Sequence, residues 1–212
     1  MTAFRQSFAL RLLGGFAAAA LILTVMGLFA KAGSFEYPDD AIRSLIQTLE
    51  SPALTAAMLS ITRMGSAVGL TLLGLVVLVV FFFLRWWWAI ALFLIAVAGQ
   101  LILHLGFKWL FDIERPQPLL GYIIDDSSSF PSGHSMASMS FYGILALLVT
   151  RRIETKTIRS ATWVLAIILI FLIGFSRVYF GVHHPSDVAA GFLAAAVWIW
   201  AVASCDENCN RR

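Results

Sequence analysis

Charged residues are scarce in this chain: Asp, Glu, Lys and Arg make up only 13% of its 212 residues, against roughly 25% in a soluble domain. So little polar surface cannot cover a water-soluble globule, which argues against a soluble enzyme. Cysteine is nearly absent, and with only Cys205 and Cys209 able to pair, a disulfide scaffold is excluded. An apolar content of 60% excludes disordered and collagen-like chains. A net charge of +3 carried by scattered basic residues is not a nucleic-acid footprint.

What the chain has instead is long uncharged runs, and its mean hydropathy is +0.86. Nineteen uncharged residues separate Arg11 from Lys31, 21 separate Arg63 from Arg85, and 22 separate Arg85 from Lys108. At about 1.5 Å per helical residue, even the shortest reaches roughly 28 Å, close to the thickness of a hydrocarbon core. Three further apolar segments follow. The spans expected are about 12–30, 64–84, 86–107, 133–150, 160–176 and 188–204. The reading is an all-α integral membrane bundle of six helices, a single membrane-embedded domain over 1–212. The first run, preceded by Arg5 and Arg11 and followed by Ala30-Lys31-Ala32, has features of a signal peptide, but its length favours a retained helix.

Lysines and arginines orient the bundle. With a cytoplasmic N-terminus, that side holds Arg5, Arg11, Arg85, Arg151, Arg152, Lys156, Arg159, Arg211 and Arg212, nine in all. The other side holds six: Lys31, Arg43, Arg63, Lys108, Arg115 and Arg177. The positive-inside rule then puts both termini in the cytoplasm. Trp86, Trp87, Trp88, Trp198 and Trp200 suit an interfacial aromatic belt. In the first outer loop, Asp39-Asp40 followed by Ile42, Leu45, Ile46 and Leu49 predicts a short amphipathic helix lying on the membrane surface. The second outer loop, with Pro116, Pro118, Gly121 and the run Asp125-Asp126-Ser127-Ser128-Ser129, reads as a structured loop.

Three polar clusters fall on the outer side. Lys108 and Arg115-Pro116 close the third helix, and a spacing of seven puts the two cations about two turns apart on nearly one face. Alone they would pass for snorkelling anchors or partners of Asp112 and Glu114. Pro131-Ser132-Gly133-His134 opens the fourth helix, where unpaired N–H groups and the Ser132 hydroxyl suit an anion. The plainer alternative is a serine cap beside an incidental histidine. Ser176-Arg177, His183 and Asp187 form the third cluster. If Pro185 opens the sixth helix, Asp187 falls near its third residue, where the dipole favours an acid in any case. Its functional role would be to accept from one ring nitrogen of His183 and leave the other as nucleophile.

Taken together, three cations, two serines and two histidines converge where the charge rule expects few cations. Phosphoryl transfer through a phosphohistidine needs such a set: cations to neutralise the phosphoryl oxygens, His183 to attack phosphorus and His134 to protonate the leaving oxygen. Because the cations carry the electrostatic work, that chemistry calls for no metal or other cofactor. Lys108-x6-Arg115-Pro116, Pro131-Ser132-Gly133-His134 and Ser176-Arg177-x5-His183-x3-Asp187 resemble the three-part signature of the type 2 phosphatidic acid phosphatase superfamily. The match covers every motif position in order. The resemblance implies a six-helix lipid phosphatase with His183 as nucleophile, His134 as acid and base, and Asp187 as orienting acid. It also implies phosphate binding by Lys108, Arg115, Ser132, Gly133 and Arg177. The compact bacterial members it resembles act on undecaprenyl diphosphate, phosphatidylglycerol phosphate or phosphatidic acid, from the outer face of the inner membrane. Soluble haloperoxidases and acid phosphatases of the same superfamily do not fit this composition. Two other readings share the frame: a phosphotransferase drawing on a lipid diphosphate, and a non-catalytic lipid carrier, against which the intact His134, His183 and Asp187 argue.

Other residues attract less weight. His104 lies one turn before Lys108 and is expected to bond a neighbouring helix. His184 reads as a cap or headgroup contact, and Tyr179 as facing the headgroup or the interface. Gly65 and Gly69 permit close helix approach without implying a dimer. Cys205 and Cys209 lack further metal ligands nearby, and thiols on the cytoplasmic side stay reduced. Asp125 and Asp126 read as a solvated loop.

Overall fold

The structure, a computed structural model, describes residues 2–117 and 128–207. Pro118, Gly121, Asp125, Asp126, Ser127, Cys209, Arg211 and Arg212 lie outside the described residues, and with them the readings of the acidic loop and of a cysteine pair. Among the described residues, eight helices follow in order: α1 (Thr2–Lys31), α2 (Glu36–Gln47), α3 (Pro52–Met64), α4 (Ala67–Phe83), α5 (Trp87–Phe111), α6 (Gly133–Thr150), α7 (Lys156–Tyr179) and α8 (Pro185–Glu207). Among the described residues, α1, α5, α6, α7 and α8 are each long and apolar enough to cross a membrane.

The expected helix over 64–84 is present as α4 (Ala67–Phe83), and α3 precedes it at a bend of 52°. The cause is local: α3 is capped by Gly65, and Ser66 immediately caps α4 by accepting from the Gly69 N–H at 3.1 Å. A break inside an apolar region exposes carbonyls that lipid cannot satisfy. Here Tyr142 donates to the Met64 carbonyl at 2.8 Å.

α6 and α8 form the centre, with α1 packed along α8 and with α5 and α7 flanking α6. Where lipid surrounds the helices, association relies on close packing and interhelical hydrogen bonds more than on expelling water. Trp198 illustrates both. Its ring packs on Gly99, where a β-carbon would collide with it, and its Nε1 donates to the Ala96 carbonyl at 2.9 Å. Trp198 is therefore a core residue and not an interfacial anchor, whereas Trp87 and Trp200 are exposed.

A helix does form in the first loop, but it begins at Glu36 and is docked. Asp39 and Ile46 are buried against the protein, while Ile42, Leu45 and Leu49 remain exposed. Two long-range bonds define the ends of the bundle. Lys31 Nζ donates to the Phe111 carbonyl at 3.4 Å, joining the ends of α1 and α5. At the other end, Arg11 donates to the Ser204 carbonyl at 2.6 Å and Arg151 to that of Ala203 at 3.3 Å.

Candidate active site

α5 ends at Phe111 because Asp112 adopts a left-handed conformation, φ 43°, and its N–H bonds back to the Lys108 carbonyl. Asp is among the few side chains that tolerate this region, and Pro116 disfavours helix at Arg115. Lys108 and Arg115 therefore do not share a helical face. Lys108 stays on the last turn of α5, while Arg115 is carried back over the bundle on an extended segment. That segment is pinned at Ile113, whose N–H donates to Ser128 Oγ at 3.0 Å and whose carbonyl accepts from the Ser129 N–H at 2.7 Å.

The returning chain runs through Phe130-Pro131 into α6. Ser132 occupies the N-cap position, yet its side chain makes no capping bond; its Oγ accepts from Ser135 at 3.0 Å. The hydroxyl proton of Ser132 is thus left to donate. Gly133 is required by a close approach. The His104 ring lies over it, and a β-carbon there would meet His104 Nε2 at 2.8 Å.

The third cluster hangs from the turn after α7. Gly181, at φ +68°, supplies the left-handed turn that L side chains resist, and the Val182 N–H closes onto the Arg177 carbonyl at 3.1 Å. His183 emerges buried, with only 3% of its surface exposed. Its two ring nitrogens face different partners. Nδ1 lies 3.5 Å from Asp187 Oδ2, and Nε2 lies 3.2 Å from Arg115 Nη1. Arg115 also donates to the Val182 carbonyl at 2.8 Å. Burial pushes the His183 imidazole down to about 4, against the pull of Asp187, and the Arg115 and Arg177 cations push the same way as burial. At neutral pH the ring is uncharged.

Asp187 sits in the first turn of α8 and is buried. It accepts the His184 N–H at 2.9 Å and the Ser129 hydroxyl in a short bond. Arg177 is buried and donates to Thr62 Oγ1 of α3 at 2.8 Å. Arg177, His183, Arg115 and His104 all lie within electrostatic reach of His134, and Lys108 lies within reach of His104. The residues expected from all three motifs are thus assembled at the end of the bundle marked by the Lys31–Phe111 bond.

Sequence reasoning missed Ser129, Thr62 and Asp39. Ser129 stood beside the second motif, three residues before Ser132, within a run that read only as loop. Thr62 gave no signal. Asp39 read as the acidic start of a surface helix; instead it accepts from the Ser186 N–H at 2.9 Å and the Ser186 hydroxyl at 2.6 Å, and lies 3.8 Å from His184 Nδ1. His184 is therefore a neighbour of Asp39. Tyr179 is buried and bonded to Thr55 at 2.7 Å, so it faces neither headgroup nor interface. His104 bonds no neighbouring helix: its Nδ1 is buried without a hydrogen-bond partner among the described residues. Cys205 is a buried free thiol.

A cavity of about 560 Å³ opens between α4, α5 and α6 and reaches this cluster. Its walls are largely apolar, and its end is formed by His104, Gly133 and His134.

Residues 86–211 match the model of the PAP2 superfamily. The chain is 28% identical over 194 residues to phosphatidylglycerophosphatase B of Bacillus subtilis (strain 168), covering 90% of this chain and 94% of that protein. It is 42% identical over 71 residues to an undecaprenyl-diphosphatase of Sulfolobus acidocaldarius, covering 34% of this chain and 30% of that one. The crystal structure of a transmembrane PAP2 type phosphatidylglycerolphosphate phosphatase from Bacillus subtilis superposes with a TM-score of 0.81 at 26% identity, over 91% of this chain and 96% of that one.

Proposed function

The chain belongs to the PAP2 superfamily, and from that premise we propose that it is an integral membrane lipid phosphatase or diphosphatase acting through a phosphohistidine. The enzyme class is that of phosphoric-ester hydrolases acting on lipids. The observation that carries the mechanism is the environment of His183, with Asp187 on Nδ1 and Arg115 on Nε2.

In the first step, His183 Nε2 attacks phosphorus in line. Asp187 holds the Nδ1–H tautomer and stabilises the cationic ring that forms. His134 donates a proton to the leaving oxygen as the P–O bond breaks, releasing the dephosphorylated lipid, or the lipid monophosphate from a diphosphate. In the second step His134 takes a proton from water, the water oxygen attacks phosphorus, and the P–N bond breaks to return His183 and release phosphate. Lys108, Arg115 and Arg177, with the Ser132 hydroxyl and the Gly133 N–H, neutralise the phosphoryl oxygens throughout.

The bundle end carrying Arg11, Arg151 and Arg152 is assigned to the cytoplasm by the positive-inside rule, which turns the catalytic end outward. The test is phosphate release by the detergent-purified protein in the presence of chelator, with His183→Ala in parallel. Undecaprenyl diphosphate, phosphatidylglycerol phosphate and phosphatidic acid form the panel. Release that vanishes in the variant is expected; release that persists in it would remove His183 from the mechanism.

A further inference from the structure

The cavity between α4, α5 and α6 is not uniformly apolar. Leu70, Leu75, Val97 and Phe141 line it, but so do Gln100 and His104. Gln100 is only 5% exposed. Gln100, His104 and Lys108 follow at steps of four on α5, and so form a column along one face of that helix. From Lys108 the column descends about 6 Å to His104 and about 12 Å to Gln100. Polar side chains at such depth are costly unless they find partners, and they mark sites when they face a cavity. The His104 Nδ1 has no partner among the described residues.

We propose that Gln100 and His104 are specificity-determining residues that select a glycerol-based lipid by hydrogen bonding the glycerol and ester oxygens below its phosphate. The inference rests on the phosphatase reading above and names its substrate class. With the phosphate among Lys108, Arg115 and Arg177, the lipid descends past His104 into the cavity, and the two apolar walls take its chains. A diacylglycerol unit carries carbonyl acceptors in its first few atoms, where an amide N–H₂ and an imidazole N–H can reach them. A polyprenyl diphosphate offers only its second phosphate there and is hydrocarbon beyond it, so it would bury at least Gln100, the deeper side chain, unpaired.

The experiment compares kcat/KM of the purified full-length protein for three lipids: diacyl phosphatidic acid, its dialkyl ether analogue of equal chain length, and a polyprenyl diphosphate. The ether keeps the phosphate and chains and lacks only the carbonyls. We expect the diacyl lipid to exceed the ether about tenfold, the worth of one or two net hydrogen bonds. In Gln100→Leu/His104→Leu that ratio should fall towards one. Equal rates for ester and ether in the parent protein overturn the inference without needing the variant. So does a variant that keeps the parental ratio, or one that loses the polyprenyl diphosphate selectively, which would assign His104 to a second phosphate. Turnover of none of the three lipids would instead sink the phosphatase reading, and this inference with it.

Discussion

Asp39, on the loop helix α2, accepts both the backbone N–H and the hydroxyl of Ser186 in the first turn of α8, at 2.9 and 2.6 Å. A carboxylate from a distant segment thereby caps the helix that carries Asp187 and ties α2 to the turn bearing His183. Asp39→Ala should lower stability by about 1–2 kcal/mol, the worth of a lost cap. It should also reduce kcat, since the turn that presents His183 loses its anchor. Thermal melts and kinetics on the same preparation check both, and unaltered kcat would show that the turn holds its geometry without Asp39.

The same contact predicts a pH dependence. Burial raises the Asp39 carboxyl above 3.8, although the Ser186 bonds and His184 oppose the rise. The folded protein then binds this proton more tightly than the unfolded chain does. The stability it contributes is present in full below 3.8 and is lost as pH rises through the higher folded value. Asp39→Asn keeps an acceptor oxygen and cannot titrate, so its melting temperature should change less across that window than the parent's. Parallel slopes would exclude Asp39 as the titrating group.

If His183 is the nucleophile, as proposed, Arg115 should set the acid side of catalysis. His183 must be neutral to attack, so kcat/KM should fall as pH drops through about 4. Arg115→Ala removes a cation 3.2 Å from Nε2, which should move this limb upward towards the ordinary histidine value. It should also lower kcat/KM at neutral pH by about 100-fold or more, the usual loss on removing a transition-state donor. A lower rate with the acid limb unmoved would make Arg115 a phosphate ligand with no influence on the nucleophile.

Ser129 supplies a charge-assisted bond to Asp187 from outside the recognised motifs. Ser129→Ala should reduce kcat about 10- to 100-fold, in line with roughly 1.5–3 kcal/mol for a bond to a charged group. KM should change little if Asp187 acts through His183, as proposed, and not on the lipid. Ser129→Thr should restore most of the rate, and failure of that rescue together with a raised KM would point to a loop defect.

Thr62 positions Arg177 across the α3–α7 interface at 2.8 Å. Thr62→Val preserves shape and removes the acceptor. Its kcat/KM should fall about three- to tenfold, from the loss of one net hydrogen bond. A phosphate-analogue inhibitor such as vanadate should weaken in parallel. Normal vanadate inhibition with slowed turnover would separate Thr62 from the anion site.

The motif residues were legible because their spacing is local: Pro131 to His134 and His183 to Asp187 each lie within about one helical turn. The five long apolar helices were legible because lipid demands uninterrupted apolar length. The Lys108–Arg115 geometry was misread for want of a local detail, the left-handed Asp112, which stops the helix between them. Trp198 was misread because an interfacial and a core tryptophan look alike until the glycine it packs on, Gly99, is known.

Composition and spacing by themselves determined that this chain forms an apolar helical bundle and carries the three motifs on which the phosphoryl-transfer proposal rests, since both follow from local hydropathy and short-range order. Only the tertiary structure decided that Asp39 and Ser129 serve the third motif, that Thr62 holds Arg177, and that Gln100 and His104 line one cavity with His134. These pairings join residues from 30 to 147 positions apart, and no local propensity encodes them. They arise from packing α2, α3 and α5 against α6, α7 and α8, where a buried polar group must find its partner on another helix.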